Sequence, residues 1–417
     1  MGIVDIIELM AENGHAPDEG CSLFGIGNDE TINRIQETYL INRFSRGRSA
    51  EKFVVGPFGS GKSHFLNHLI EVAHNLNCVT AKVKLNKSVD VTSNYYIFKE
   101  LAQEIQAPNS KRGVKYLLLA CANKVKSDAF EKYNSEETAN GKLSFWISGL
   151  EDSDFELNIF GRVVKQAFDA YLKKDKEILD FASRWLSGEF NNKEINKALN
   201  VSKVNKNEQN LFAKRVGLSL YQLIKKAGFT GTVIGFDEAE QGFPKNSKKI
   251  DQLLSLFQSD INSINELKNG SVLILYAITY EIVEKMMQFP ALQQRIQNPL
   301  PNMGFKDGNT LAPIIYLTRP KECTRDDVAN ELTKIGYKLI DLFYSEVDNE
   351  VTIPKNEVML KIKEIAIKIS KIDQTASDRR AMVRATCTTL IYLYNNDFLK
   401  DFDPKKFTEE EENNEEV

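Results

Sequence analysis

The chain has 417 residues, 42% hydrophobic and 27% charged, enough to bury a sizeable core and to form two or three domains. A formal net charge of -4 excludes a globally basic nucleic-acid binder and leaves only a local basic face open. Five cysteines (Cys21, Cys78, Cys121, Cys323 and Cys387) show no C-x-x-C spacing, which speaks against a cysteine zinc site or a disulfide framework.

The first residues lack a basic stretch followed by a long apolar run, and no apolar run is long enough to cross a bilayer. A cytoplasmic protein without membrane association is expected. Residues 1–49 read as an amino-terminal helical segment. A short helix carries Ile3, Ile6, Ile7 and Met10. A Gly/Pro-bearing turn follows, then a helix starting near Asp29, Glu30 and Thr31 with Ile32, Ile35, Tyr39 and Leu40 as its apolar positions. The apolar run Phe53-Val54-Val55 predicts a strand, and His64-Phe65-Leu66-Asn67-His68-Leu69-Ile70 predicts a helix. Between them lies Gly56-Pro57-Phe58-Gly59-Ser60-Gly61-Lys62-Ser63, the Gly-x4-Gly-Lys-Ser pattern in its strand–loop–helix context.

Residues 79–85 alternate and are rich in β-branched side chains, predicting a second strand, and residues 93–105 predict a helix. Alternation then stops. From about 110 to 228 the periodicity is helical throughout, as in Phe160, Val163, Val164, Ala167, Phe168, Tyr171 and Leu172, and reads as an insertion. Residues 161–226 hold fourteen Lys/Arg and seven Asp/Glu, a local excess of +7 that suits either a solvated helical face or a nucleic-acid surface. A third strand, Gly231-Thr232-Val233-Ile234-Gly235-Phe236, runs into Asp237-Glu238. A helix with Ile250, Leu253, Leu254, Phe257 and Ile261 follows, then a strand from Val272 to Ile278 that ends on Thr279, and a short strand at 313–317. Residues 321–408 predict a helical lid, opened by Thr324 and Asp327 in a capping-box spacing, and 409–417 an acidic, disordered tail.

The expected fold is α/β: a parallel-sheet P-loop NTPase core of the AAA+-like kind over 50–320, interrupted by the helical insertion and closed by the helical lid. The chemistry follows from residue types. Glycines at 56, 59 and 61 let backbone N–H groups turn toward phosphate oxygens, aided by the positive end of the next helix, so residues 56–64 (Gly56, Pro57, Phe58, Gly59, Ser60, Gly61, Lys62, Ser63 and His64) are the expected ATP contacts. Lys62 is expected on the β- and γ-phosphates and the Ser63 hydroxyl on Mg2+. Asp237 at a strand end is expected to hold Mg2+ and Glu238 to activate the attacking water. A small-molecule kinase would need an acceptor pocket in place of that water-activating acid. Glu240 is either a nearby supporting acid or simply exposed. Thr279 is either a γ-phosphate sensor or a strand-ending threonine in a turn. Arg295 is either an arginine finger reaching a neighbouring subunit or a helix-surface arginine, with Arg319 as another candidate for action in trans. His64 and His68 have i,i+4 spacing without an accompanying Glu or Cys and read as helix-surface or packing residues rather than metal ligands.

Two resemblances add to this. Ser377-Asp378-Arg379-Arg380-Ala381-Met382-Val383-Arg384 resembles the sensor 2 helix of origin-recognition-type AAA+ proteins, whose Asp-x-Arg signature implies Arg380 as the sensor, with Arg379 and Arg384 as neighbours. Residues 56–66, Trp185-Leu186-Ser187-Gly188-Glu189 and Phe236-Asp237-Glu238-Ala239-Glu240 are together similar to the phosphate loop, the Trp-Leu-x-Gly-Glu element and the Asp-Glu-Ala-Glu strand end of the BREX phage-defence ATP-binding proteins. The likeness covers roughly 30–320, departs at Pro57-Phe58, and fits the smaller ATP-binding member better than the large BREX ATPase. It implies an oligomeric ATPase acting on DNA or on a DNA-acting partner such as a helicase. A nucleotide-controlled switch or scaffold with slow hydrolysis is the alternative.

Overall fold

The computed structural model describes residues 2–13, 17, 20–25, 27–85, 89–239, 247–318, 323–347, 350–372 and 378–399. Glu240, Arg319, Ser377 and the acidic stretch 409–417 lie outside them. In chain order the leading helices are α1 (Ile3–Asn13), α2 (Cys21–Phe24) and α3 (Asp29–Ile35), the last continuing as a π-helical stretch, Gln36–Arg43. Then come β1 (Ala50–Val55), α4 (Lys62–Asn75), β2 (Val79–Lys84) and α5 (Asn94–Glu104). Six helices follow before the next strand: α6 (Val114–Tyr133), α7 (Glu136–Ser148), α8 (Asn158–Lys173), α9 (Lys176–Leu186), α10 (Lys193–Ala198) and α11 (Gln209–Lys226). The chain continues through β3 (Thr232–Asp237), α12 (Ser247–Glu266), β4 (Val272–Ile278), α13 (Tyr280–Gln288), α14 (Pro290–Ile296) and β5 (Ile314–Tyr316). It finishes with α15 (Arg325–Val347), α16 (Lys355–Lys371) and α17 (Asp378–Asn396).

The five strands form one sheet in the order β2-β3-β4-β1-β5, with β2 beside β3 and β3 beside β4 paired parallel. Every residue of β3 and β4 is buried, as expected for parallel strands covered on both faces. Each predicted strand is present, four of them within one residue of their expected ends and β1 starting three residues earlier, at Ala50.

The chain divides into two compact units. The larger holds 34–53 and 72–314, and so contains most of the sheet and α5 to α14. Its core is aromatic. Tyr276 of β4 stacks on Phe236 (ring centroids 4.7 Å apart) and Phe53 (5.8 Å), and Phe257 of α12 meets it edge-on at 4.9 Å. Among α5 to α11, Trp185 and Phe190 are buried, with Phe212 packed against both. The Trp-Leu-x-Gly-Glu element is therefore a packing corner. Arg184 and Glu189 close it with a two-pronged ion pair at 2.8 and 2.9 Å.

The smaller unit gathers 1–33, 54–71 and 315–417. Its core joins Ile6, Ile7 and Met10 of α1 to Leu339 and Phe343 of α15, Ile362 of α16 and Leu390 of α17. Gly336 makes the helix crossing possible, since a Cβ there would lie 2.3 Å from Ile362 Cγ2. The capping box forms as the spacing predicts: Thr324 N–H donates to Asp327 Oδ2 at 2.9 Å and Asp327 N–H donates back to Thr324 Oγ1 at 3.2 Å.

Candidate functional site

In the smaller unit, the glycine-rich loop leaves β1 at Val55 and enters α4 at Lys62. Gly59 (φ 74°) and Gly61 (φ 91°) occupy the left-handed region that side chains avoid. A Cβ added at Gly61 would meet nothing within 4 Å, so the loop has open space there. The Lys62 ammonium is buried over the loop and donates to the carbonyls of Gly56 (2.9 Å) and Pro57 (3.1 Å), with the exposed Phe58 ring 5.3 Å away. Ser60 Oγ is buried and makes no hydrogen bond among the described residues. A polar atom in that state costs about 1–3 kcal/mol unless a ligand or water meets it.

The amino-terminal segment is fastened to α4 by a row of polar side chains one or two turns apart. Asn67 Nδ2 donates to Pro17 O at 2.7 Å, and the Glu71 carboxylate accepts the N–H groups of Cys21 and Ser22, both at 2.8 Å. His64 Nε2 lies 3.1 Å from Cys21 O; a carbonyl only accepts, so this nitrogen carries the proton. Burial, with the neighbouring His68, pushes the His64 pKa down to about 4. Through its bond to Cys21 O, His64 packs against the leading segment. Lys338 of α15 donates to Gly25 O at 2.6 Å. In the sequence, His64, Asn67 and Glu71 at i, i+3 and i+7 on α4 signal a polar face under cover.

Arg379, the second residue of α17, also reaches the loop. Its Nη1 donates to Ser60 O (3.0 Å) and to Leu317 O (3.1 Å), while Nε pairs with Glu331 Oε1 of α15 (2.6 Å). Arg380, singled out by the Asp-x-Arg signature, is exposed on the same helix turn.

In the larger unit, Asp237 closes β3 and Thr279 follows the last residue of β4, so both leave the same end of two parallel neighbours. Asp237 is buried. One carboxylate oxygen accepts the Glu238 N–H at 3.0 Å, and the other lies 3.7 Å from the Lys82 ammonium. Glu238 has φ 56°, unusual because among the described residues five of the nine non-glycine residues in this region are asparagine. Strain of this kind gathers at working sites. Thr279 is buried and precedes α13 without a side-chain capping bond. Arg295 donates to Asn262 Oδ1 (2.6 Å) and Ala291 O (2.7 Å), so its guanidinium is engaged within its own unit.

These residues suit a phosphate ligand and a hard cation. An ammonium, the Ser63 hydroxyl and a buried hydroxyl without a described partner share the glycine loop in the smaller unit, and the Asp237 carboxylate offers oxygens in the larger unit. Mg2+ takes hydroxyl and carboxylate oxygens and keeps water and phosphate in its shell; no group of three or more His, Cys, Asp or Glu able to hold a metal exists among the described residues.

A family model described as BREX system ATP-binding protein BrxC/D matches residues 4–412. The chain belongs to this family. The BrxC/D match runs through the leading helices, the glycine loop, the insertion and α15 to α17 alike, beyond the 30–320 over which the sequence resemblance was drawn. No curated protein and no solved structure matches the chain. Among the described residues no helix is long and apolar enough to cross a membrane.

Proposed function

We propose that this BrxC/D-family protein is a Mg2+-dependent ATPase whose phosphate loop is 56–63. Lys62 and the loop N–H groups hold the phosphates, and Ser63 and Asp237 are the Mg2+ donors. Bound Mg2+ would offset the charge that gathers on the phosphate oxygens. Glu238 accepts a proton from the attacking water; the new P–O bond forms as the bond to the bridging oxygen breaks, giving ADP and phosphate. Thr279 and Arg380 act as γ-phosphate sensors, and Arg295 completes the site of a neighbouring subunit in a homo-oligomer. The work done by hydrolysis is on DNA or on a DNA-processing partner such as a helicase, in phage defence. The observation that carries the reading is the buried Ser60 hydroxyl, unpartnered in a loop that already holds an ammonium.

One observation favours a slower cycle. Lys82 faces Asp237 at 3.7 Å and competes with a cation for it, as expected of a switch that binds ATP and hydrolyses it slowly. Calorimetric titration of ATP and Mg2+ tests the shared part of both readings. Lys62→Ala should weaken binding by at least about tenfold, the loss of one charge-assisted contact. Equal binding by both proteins refutes the site.

A further inference from the structure

The contact between α17 and the glycine loop has a consequence for the loop's chemistry. The Ser60 carbonyl and the Gly61 N–H belong to one trans peptide, so they point in opposite directions. Arg379 Nη1 holds that carbonyl at 3.0 Å. Glu331 Oε1, 2.6 Å from Arg379 Nε, and Leu317 O, 3.1 Å from Nη1, fix the guanidinium from two other segments. Gly61, at φ 91° with open space around its α-carbon, has no side chain to keep this peptide from turning over. The Arg379 contact is a clamp from outside the loop that fixes it.

We infer that Arg379 is a positioning residue: by pinning the Ser60 carbonyl it aims the Gly61 N–H at the phosphates, and Glu331 holds Arg379 in place. This rests on the proposed phosphate site. It assigns Arg379 a role unlike that of Arg380, because an N–H in the loop serves ADP and ATP alike, whereas a γ-phosphate sensor serves ATP alone.

The test is binding of fluorescent ADP and ATP analogues to the full-length protein. Wild-type and Lys62→Ala proteins establish the phosphate site first; if wild type binds neither nucleotide, the site itself is wrong and the positioning role falls with it. Given wild-type binding, Arg379→Ala should weaken ADP and ATP by the same factor, about tenfold. Arg379→Lys, which keeps the charge and loses the fork, should recover only part of it. Glu331→Gln should weaken both nucleotides less than Arg379→Ala, and adding it to Arg379→Ala should cost nothing more. Hydrogen exchange at 58–62 in nucleotide-free protein should rise in Arg379→Ala while the melting temperature stays near wild type. Loss of ATP affinity with ADP unchanged would make Arg379 a γ-phosphate sensor, and unchanged affinity for both would make it a surface clamp. Either result overturns the positioning role.

Discussion

Lys52 and Glu51 are neighbours on β1 whose side chains leave opposite faces of the sheet. Lys52 is buried against the rings of Tyr39 and Phe305, donating to the carbonyls of Thr310 and Ala312. Burial, with Arg43 nearby, lowers its pKa to about 7. Between pH 7 and the unfolded lysine value near 10.4 the unfolded chain therefore binds more protons, and this residue's contribution to stability rises with pH. Glu51 acts in the other direction. Burial and Asp260 push its carboxyl well above the usual range, so its contribution falls as pH rises. The wild-type curve mixes the two, and the difference between wild type and Lys52→Met isolates the lysine. Urea unfolding at pH 7, 8 and 9 should show wild type gaining about 1 kcal/mol per pH unit relative to Lys52→Met. A difference independent of pH would mean that Lys52 stays charged when buried. At this scale the sequence was legible where a motif fixes spacing, as in the loop 56–63. It was not legible for Arg379, because successive helix residues project about 100° apart and the Asp-x-Arg signature singles out the next one.

Strands and long amphipathic helices were readable because burial leaves a period in the sequence. The π-helical stretch 36–43 was not, since widening a helix around the buried Tyr39 and Leu40 changes no apolar pattern that a 3.6-residue period would reveal. Nor was the role of Trp185, which a motif resemblance marks without saying what it does. The structure gives it a packing role among Phe190 and Phe212, at centroid distances of 5.4 and 5.7 Å. Trp185→Ala should therefore destabilise the protein by about 3–5 kcal/mol, read from chemical denaturation, while nucleotide affinity at low temperature stays near wild type. Loss of affinity without loss of stability would instead give Trp185 a direct part in ligand binding.

On the scale of the whole molecule, chain order and compact units differ. The smaller unit draws its parts from the start, the glycine loop and the end of the sequence, and α1 packs against α17. Helical periodicity reports that α1, α15, α16 and α17 each have an apolar face, but not that these faces share one core. The larger unit carries the basic insertion. Of the cations at 161–226, Lys165, Arg184 and Lys214 pair with acids, whereas Lys173, Lys174, Lys176, Lys193, Lys197, Lys203 and Lys206 are exposed, with Asp175, Glu177, Glu194 and Glu208 exposed among them. A net excess of exposed lysines suits either a solvated helical face or a polyanion, and the proposed link from ATP to DNA takes the second reading.

The most direct measurement is steady-state phosphate release from ATP and Mg2+, with and without DNA. It compares wild type, Glu238→Gln and a Lys173→Glu/Lys174→Glu/Lys176→Glu variant. Wild type should turn over ATP, and DNA should raise the rate. Glu238→Gln should lower it by about 100-fold or more, the scale of a lost general base, with ATP binding intact. The lysine variant should keep basal turnover and lose the response to DNA. Wild-type turnover that Glu238→Gln leaves unchanged would contradict the assigned chemistry, and a DNA response that survives in the lysine variant would contradict the DNA surface.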